Sequence, residues 1–267
     1  MCNKLRHYHV GALTFLTTHN YKYLASDITI NTEDEVEEGA GIGQTSSQEE
    51  LVKSKNTISL TTKMPVGSYN GSIQGKRKFL GATVLSLGGT DILGLIDSGS
   101  MTVTNTTEDD SGAADLFECS SPGRVKVEFD FNVKIVTNAL FNRAMQATSS
   151  PDTARLLALA LTMSGLTVTN QTFRVTSVSH GVQDDRAQMQ NIKGVVYGGF
   201  DNTKIACTDP LVTSILTGTS IAPFSLTLDG TPYTATEGAL ITKATVNFGN
   251  KKLNEISVDL DVRGAMS

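Results

Sequence analysis

Residues 125–135 read Val125-Lys126-Val127-Glu128-Phe129-Asp130-Phe131-Asn132-Val133-Lys134-Ile135. Apolar and polar residues alternate throughout, and because successive side chains of a β-strand point to opposite faces, one face is apolar and the other polar. An antiparallel strand with one face on a core and one in water has this pattern. Residues 256–262 repeat it, and residues 26–30 and 57–61 are weaker examples. The chain is therefore predicted to be mainly β.

Three glycine-bearing dipeptides lie between predicted strands: Gly88-Gly89, Ser164-Gly165 and Asp229-Gly230. Dipeptides of this kind tolerate the positive φ angles that two-residue β-hairpin turns require. We therefore predict a tight hairpin at each of these three positions.

One hairpin motif occurs more than once. Leu161-Thr162-Met163-Ser164-Gly165 returns as Leu226-Thr227-Leu228-Asp229-Gly230, with an earlier echo at 85–90. Each of the two full copies is followed by a short strand and a glycine, at 195–198 and 260–264. Residues 27–34 and 101–109 also resemble each other, with a slip of one or two residues. These repeats predict duplication of a β unit, and hence pseudo-symmetry within one chain.

The repeats suggest how the chain is divided. We predict two tandem β-sandwich or β-barrel domains, at 1–147 and 148–267, with one interlocked pseudo-symmetric unit as the alternative. A chain of 267 residues is long enough for either arrangement to bury a core.

Helix signals are few and short. Residues 138–147 lack Gly and Pro and have an apolar helical stripe. Ser150-Pro151 and Asp209-Pro210 each resemble an N-cap followed by proline at the first helical position, and Gly218 would end the second helix. The apolar run 156–161 is ambiguous by periodicity, and we assign it to a strand because its counterpart in the repeat contains Pro223.

Two acidic segments are predicted to be solvated, mobile loops. They contain Glu33, Asp34, Glu35, Glu37 and Glu38, followed by several glycines, and Glu108, Asp109 and Asp110, followed by Gly112. Such a composition favours mobility over packing. Calcium is an alternative because carboxylates are its preferred ligands, but neither segment has the spacing of an EF-hand.

Bulk properties exclude several classes of protein. The net charge is −5 and the pI about 5.4, so no general positive field attracts nucleic acid. The three cysteines show no metal-ligand or disulfide spacing. No apolar run approaches the roughly 20 residues of a membrane-spanning helix, and no secretion signal is recognised. We expect no membrane association and no cofactor.

Asp97-Ser98-Gly99 resembles the signature of aspartic proteases, in which two aspartates share a proton and activate water. A dimeric enzyme needs only one copy per chain, but the expected apolar-apolar-glycine motif does not follow. We therefore interpret this stretch as a polar turn between strands, and expect the protein not to be an enzyme.

Histidines provide no convincing metal site. His7 and His9 share one face of a predicted strand and His19 follows, but no carboxylate or cysteine completes a ligand set. His180 stands alone. No phosphate-binding loop, dinucleotide-binding fingerprint or serine nucleophile elbow is present.

Taken together, these features resemble the tail-tube, or major tail, proteins of bacteriophages. The resemblance rests on a strand pair before each acidic segment (28–43 and 103–114), the alternating strand at 125–135, the helix at 138–147 and the glycine-bounded hairpins. It implies a structural virion protein of the tail, made in the host cytoplasm. Such proteins have a β-sandwich or barrel whose sheets join into rings, and the rings stack around a channel for DNA.

The resemblance also implies partners. They are copies of the same chain, other tail proteins, and DNA that passes through without specific binding. Because tail-tube proteins usually have one such domain and this chain is predicted to have two, we expect a trimer with pseudo-sixfold symmetry, or else a hexamer. The acidic residues would act in assembly. The alternatives are a capsid-decorating, baseplate or adhesin β-module, and a retropepsin-like protease that uses Asp97.

Overall fold

A computed structural model describes residues 10–15, 19–20, 25–39, 48–63, 84–91, 96–109, 120–134, 155–163, 165–181, 189–197, 203–218, 221–228, 231–235, 237–249 and 255–267. These residues are mainly β, with one short helix, so the predicted class is confirmed. Among them, no helix is both long and apolar enough to cross a membrane.

The elements are named in chain order. The strands are β1 (Val10–Phe15), β2 (His19–Asn20), β3 (Ala25–Gly39), β4 (Gln48–Lys63), β5 (Val84–Leu87), β6 (Thr90–Asp91), β7 (Ile96–Asp109), β8 (Ser120–Lys134), β9 (Leu156–Met163), β10 (Leu166–Gly181), β11 (Met189–Val196), β12 (Ile205–Cys207), β13 (Ile221–Ala222), β14 (Phe224–Leu228), β15 (Thr231–Thr234), β16 (Ala239–Gly249) and β17 (Glu255–Val262). The helix, α1, is Pro210–Leu216.

The strands form one large and one small antiparallel sheet. The large sheet has the order β3-β4-β17-β16-β7-β8-β11-β10-β9-β5-β6, with β12 beside β10 and β13 beside β16. The small sheet has the order β15-β14-β1-β2. Groups of two or three strands from before and after residue 147 therefore alternate in the large sheet. The division into two domains stays a prediction.

The buried apolar residues that the structure describes form one core, on one face of the large sheet. Phe129 and Phe131 stack with ring centroids 5.7 Å apart, and Phe173 meets both rings edge-on. Phe224 and Leu226 of the small sheet belong to the same buried cluster. Because the two sheets enclose this core, the fold has the character of a β-sandwich.

Most local predictions are confirmed. The alternating stretch forms β8, and the run 156–161 forms part of β9. Each predicted hairpin joins two paired strands across two residues, and Gly88 and Gly89 have φ angles of 59° and 80°. The two similar hairpins lie in different sheets, however: β9–β10 is in the large sheet and β14–β15 in the small one.

The helix predicted at Asp209-Pro210 is confirmed. Asp209 Oδ1 accepts hydrogen bonds from the backbone N–H groups of Leu211 and Val212, at 2.9 and 3.3 Å. Gly218 follows the last turn with a φ of 77°, a conformation that favours glycine. The predicted helix at 138–147 and the cap at Ser150-Pro151 lie outside the described residues.

Candidate assembly site

Two hairpin arms project from the same end of the large sheet. The first arm pairs residues 33–39 of β3 with 48–55 of β4, beyond the last pairing of β4 with β17. The second arm consists of residues 105–109 of β7 and 120–127 of β8, beyond their pairings with β16 and β11. Successive antiparallel steps through β4, β17 and β16 make β3 and β7 run in the same direction. Both arms therefore lie at one end.

The predicted acidic residues fall on these arms. Glu33, Asp34, Glu35, Glu37 and Glu38 lie in β3, Glu108 and Asp109 lie in β7, and Asp110 lies outside the described residues. The expectation of acidic loops is wrong for those in β3 and β7, because pairing with β4 and β8 continues through them. In the first arm Glu33 lies opposite Lys55, and cross-strand pairs of opposite charge stabilise a ladder. Their role in assembly stays a prediction.

Hydrogen bonds between side chains fix the register where the first arm begins. Ser54 Oγ donates to Asp34 Oδ1, and Thr32 Oγ1 donates to Asn56 Oδ1 at 2.8 Å. Ser54 and Asn56 are buried although both are polar. Since a buried polar group without a partner is costly, a slipped register that broke these bonds would be disfavoured.

Asp261 connects the two arms. Its Oδ2 lies 3.6 Å from Nζ of Lys55 in the first arm and accepts a hydrogen bond of 3.3 Å from Oγ of Ser120 in the second. The side chain of Asp261 is only 13% exposed. The far end of the second arm therefore reaches β17, where one carboxylate contacts both arms.

The face of the large sheet that points away from the core is polar. Neighbouring strands are linked there by side-chain hydrogen bonds, from Ser59 to Asp259 at 2.8 Å and between Thr102 and Thr245 at 3.2 Å. Asn191 donates to Asn132 at 2.9 Å farther along the same face. Hydroxyl and amide ladders of this kind stabilise the sheet without apolar cover.

A shallow depression lies in the middle of this polar face. Its volume is about 500 Å³, and it spans β16, β7, β8, β11 and β10. Two lysines and two carboxylates line it: Lys193, Lys243, Glu128 and Asp130. Lys193 Nζ lies 3.2 Å from Asp130. The polar face is therefore concave at its centre, where two lysines and two carboxylates line the depression.

The aspartic-protease motif lies in a strand. Asp97 is an exposed residue of β7 at a bulge between Ile96 and Ser98, so its assignment to a turn is wrong. Packing requires a glycine at position 99, because a Cβ there would lie 2.5 Å from Cε2 of Phe248 and 2.8 Å from the carbonyl oxygen of Asp130. The structure thus explains the glycine by packing and brings no new support for catalysis.

The two described histidines lie in different sheets. His7 and His9 lie outside the described residues, His19 lies in β2 and His180 in β10. Within the part of the chain that the structure describes, no three His, Cys, Asp or Glu side chains form a group that could hold a metal ion.

Sequence reasoning missed a pair of perturbed groups near α1. Burial raises the pKa of Asp209 to about 6, although hydrogen bonds from two backbone N–H groups act against the rise. Its second oxygen, Oδ2, has no hydrogen-bond partner among the described residues. Burial, and then the charge of Asp209, raise the pKa of the Cys207 thiol to about 12, so this cysteine is a poor nucleophile at neutral pH. Of these two residues only Asp209 had a sequence signal, since it precedes Pro210 and an apolar run.

No known protein-family model matches the chain, and a search of curated proteins finds no match.

Proposed function

We propose that this chain is a structural protein that joins with copies of itself into rings, which stack into a phage tail tube for the passage of DNA. The polar, concave face of the large sheet is the observation that carries the proposal. Each ring would contain three chains with pseudo-sixfold symmetry, or six.

The chemistry of the polar face suits a channel for DNA. A protein that neutralises many phosphates binds DNA tightly, and a lumen must avoid this. On the concave face Lys193 lies beside Asp130, and Lys243 shares the depression with Glu128. Within the depression two lysines are matched by two carboxylates, while hydroxyl and amide groups keep the surface hydrated.

The two arms suit contacts between rings. Both project from the end of the sheet, and a ring with its axis along the strands would present them all on one side. The acidic residues of the first arm would meet the next ring there. Asp261, which contacts both arms, would hold them in a fixed orientation.

Negative-stain electron microscopy of the purified protein tests this function. We expect rings, and at high concentration tubes with a central channel. A protein that stays monomeric under all assembly conditions, but binds a viral shell or a glycan, would instead support a decorating, baseplate or adhesin module. Peptidase activity that is lost in Asp97→Asn would support the protease.

A further inference from the structure

The large sheet contains the same hairpin twice, in identical register. The hairpins are β3–β4 and β7–β8. Nine residue pairs, from Ala25 with Thr62 to Asp34 with Ser54, reappear 71 positions later, from Ile96 with Val133 to Asn105 with Val125. The same irregularity occurs in both copies, after Ala25 and after Ile96.

A second hairpin is also repeated. All eight residue pairs of β10–β11, from Phe173 with Val196 to Gly181 with Met189, reappear 66 positions later in β16–β17, from Ala239 with Val262 to Asn247 with Glu255. Both copies have a bulge at the same place, after Val175 and after Ile241.

The hairpins are joined in the same way in both copies. β4 pairs with β17 in the register in which β8 pairs with β11: Lys63 lies opposite Glu255, and Lys134 opposite Met189. The sheet therefore consists of two four-stranded units placed side by side. The first is β3-β4-β17-β16 and the second is β7-β8-β11-β10, followed by β9, β5 and β6.

One junction joins the two units. The last strand of the first unit, β16, pairs with the first strand of the second, β7, from Lys243 with Thr104 to Gly249 with Ser98. On the N-terminal side of this pairing, β16 pairs with the short strand β13. We call the pairing of β16 with β7 the filled junction.

The strands equivalent to β7 and β16 in the other unit are β3 and β10, and each has an edge without a partner strand among the described residues. Among the described strands β3 pairs with β4 alone. β10 pairs with β9 only as far as Arg174, so beyond Val175 that side of β10 has no partner strand among the described residues. We call these two edges, residues 25–34 of β3 and 176–181 of β10, the open edges.

We propose that the open edge of β10 pairs with the open edge of β3 in a second copy of this chain, and so repeats the filled junction between chains. Transferring the register of the filled junction places Ser177 opposite Glu33, Ser179 opposite Asn31 and Gly181 opposite Thr29. The contact is heterologous, and a contact of this kind forms a ring when the rotation from one chain to the next closes. The inference deepens the proposed ring assembly and rests on it.

Burial on the two kinds of edge supports the pairing. In the filled junction Met101 and Val103 of β7 are fully buried, whereas the equivalent Ile30 is half-buried and Thr32 is exposed. On the other strand Ala244 is fully buried and the equivalent Val178 is only half-buried. An added strand would cover the positions that the open edges leave exposed, and would satisfy the backbone groups of both strands.

Disulfide cross-linking tests the register directly. The three native cysteines are first replaced by serine, and Asn31→Cys and Ser179→Cys are combined in one chain. Opposed residues of antiparallel strands have Cα atoms about 4.5 to 5.5 Å apart, within the range of a disulfide. Under mild oxidation we expect a ladder of covalent oligomers that ends in a closed ring. The number of chains in that ring distinguishes a trimer from a hexamer.

The filled junction provides a matched control. Thr102 and Thr245 are the equivalents of Asn31 and Ser179, and they lie opposite each other within one chain. Thr102→Cys with Thr245→Cys should form a disulfide inside the monomer, without any ladder. A second control, Asn31→Cys with Ser177→Cys, is two residues out of register and should cross-link several-fold less.

The possible outcomes distinguish failure of the proposed β3–β10 interface from failure of the proposed tube function. Rings by microscopy without cross-links from the Asn31–Ser179 pair would overturn this interface and leave ring assembly intact. Cross-linked open chains without rings would support the interface and overturn the tube. A wild-type protein that remains monomeric, with no deuterium-exchange protection of residues 29–33 and 177–181 at high concentration, would overturn both.

Discussion

The filled junction and the open edges are equivalent parts of the sheet, but only the filled junction has a partner strand among the described residues. Where β16 meets β7, a strand of the same chain covers the edge, and Met101 and Val103 have no exposed surface. At β3 the equivalent Ile30 and Thr32 have exposed surface, because no described strand pairs with that edge of β3. The difference shows what a partner strand would add: cover for alternate side chains and partners for a row of backbone groups.

The open edge is also protected against unwanted pairing. Asp27 and Glu33 stand on β3, and their equivalents on β7 are Ser98 and Thr104. Charges on an edge strand discourage unspecific association. The filled junction has no need of them, since its partner strand belongs to the same chain.

Truncating equivalent apolar side chains should give the largest difference in stability between the filled junction and the open edge. Met101→Ala in the filled junction should lower the free energy of unfolding by about 3 kcal/mol, because the side chain is fully buried and leaves a cavity. Ile30→Ala on the open edge should cost about 1 kcal/mol in the monomer, because much of its surface already meets water. Urea unfolding of dilute protein measures both.

Assembly should reduce this difference. If β10 of a neighbour covers β3, Ile30→Ala should weaken ring formation far more than it weakens the monomer. Equal losses for the two alanine variants in dilute monomer would contradict the assignment of β3 as an open edge.

Gly99→Ala tests the close packing of the filled junction. The added Cβ would meet the Phe248 ring at 2.5 Å and the backbone oxygen of Asp130 at 2.8 Å. Overpacking of this kind costs about 2 to 3 kcal/mol, measured as a fall in the urea midpoint. Gly181→Ala is the control, because its Cβ would approach nothing closer than 4.0 Å, and the monomer should lose less than about 0.5 kcal/mol. A stable Gly99→Ala variant would mean that Phe248 packs elsewhere.

Strands and turns could be predicted from sequence because their signals are local. Alternation at 125–135 marks β8, and glycine dipeptides mark the hairpins, since both follow from the geometry of a few neighbouring residues. Asp209-Pro210 marked α1 for the same reason. The extent of β3 was missed, because its acidic residues suggest a loop while pairing with β4 keeps them in a strand.

Pairings between distant strands could not be predicted. The resemblance of 27–34 to 101–109 placed Asp27 within one or two residues of Met101, whereas the strand register aligns it with Ser98. Only the bulges and the pairing partners fix that register, and neither is visible in composition. Likewise, the similar hairpins β9–β10 and β14–β15 lie in different sheets, because a shared turn does not determine the neighbour of a strand.

Asp209→Asn tests the helix that packs against the filled junction, where α1 contacts both β16 and β7. Burial raises the pKa of Asp209 from 3.8 to about 6, so its ionisation destabilises the fold. The stability that the neutral acid contributes is present below about pH 4 and is lost as the pH rises to about 6. Asparagine keeps the acceptor for Leu211 and Val212 but has no charge.

The variant should therefore gain stability relative to wild type, by an amount on the order of 2 kcal/mol, as the pH rises from 4 to 7. Unfolding of both proteins at several pH values measures this difference. A difference that does not change with pH would show that burial does not raise the pKa of Asp209 above its unfolded value.

Asp261→Asn should have the smallest effect on stability and a local effect on the arms. The equivalent residue of the second unit is Val195, so this carboxylate belongs to one unit only. Its loss weakens the ion pair with Lys55 and the hydrogen bond from Ser120, at a cost of about 1 kcal/mol because the group is largely buried. Deuterium exchange should speed up at residues 53–56 and 120–122 and stay unchanged at β9. Lys126→Ala, in the second arm, removes an exposed ion pair with Glu128 and should change neither exchange nor stability measurably. If the two variants behaved alike, Asp261 would be one more surface charge, and the arms would owe their orientation to their own strand pairing.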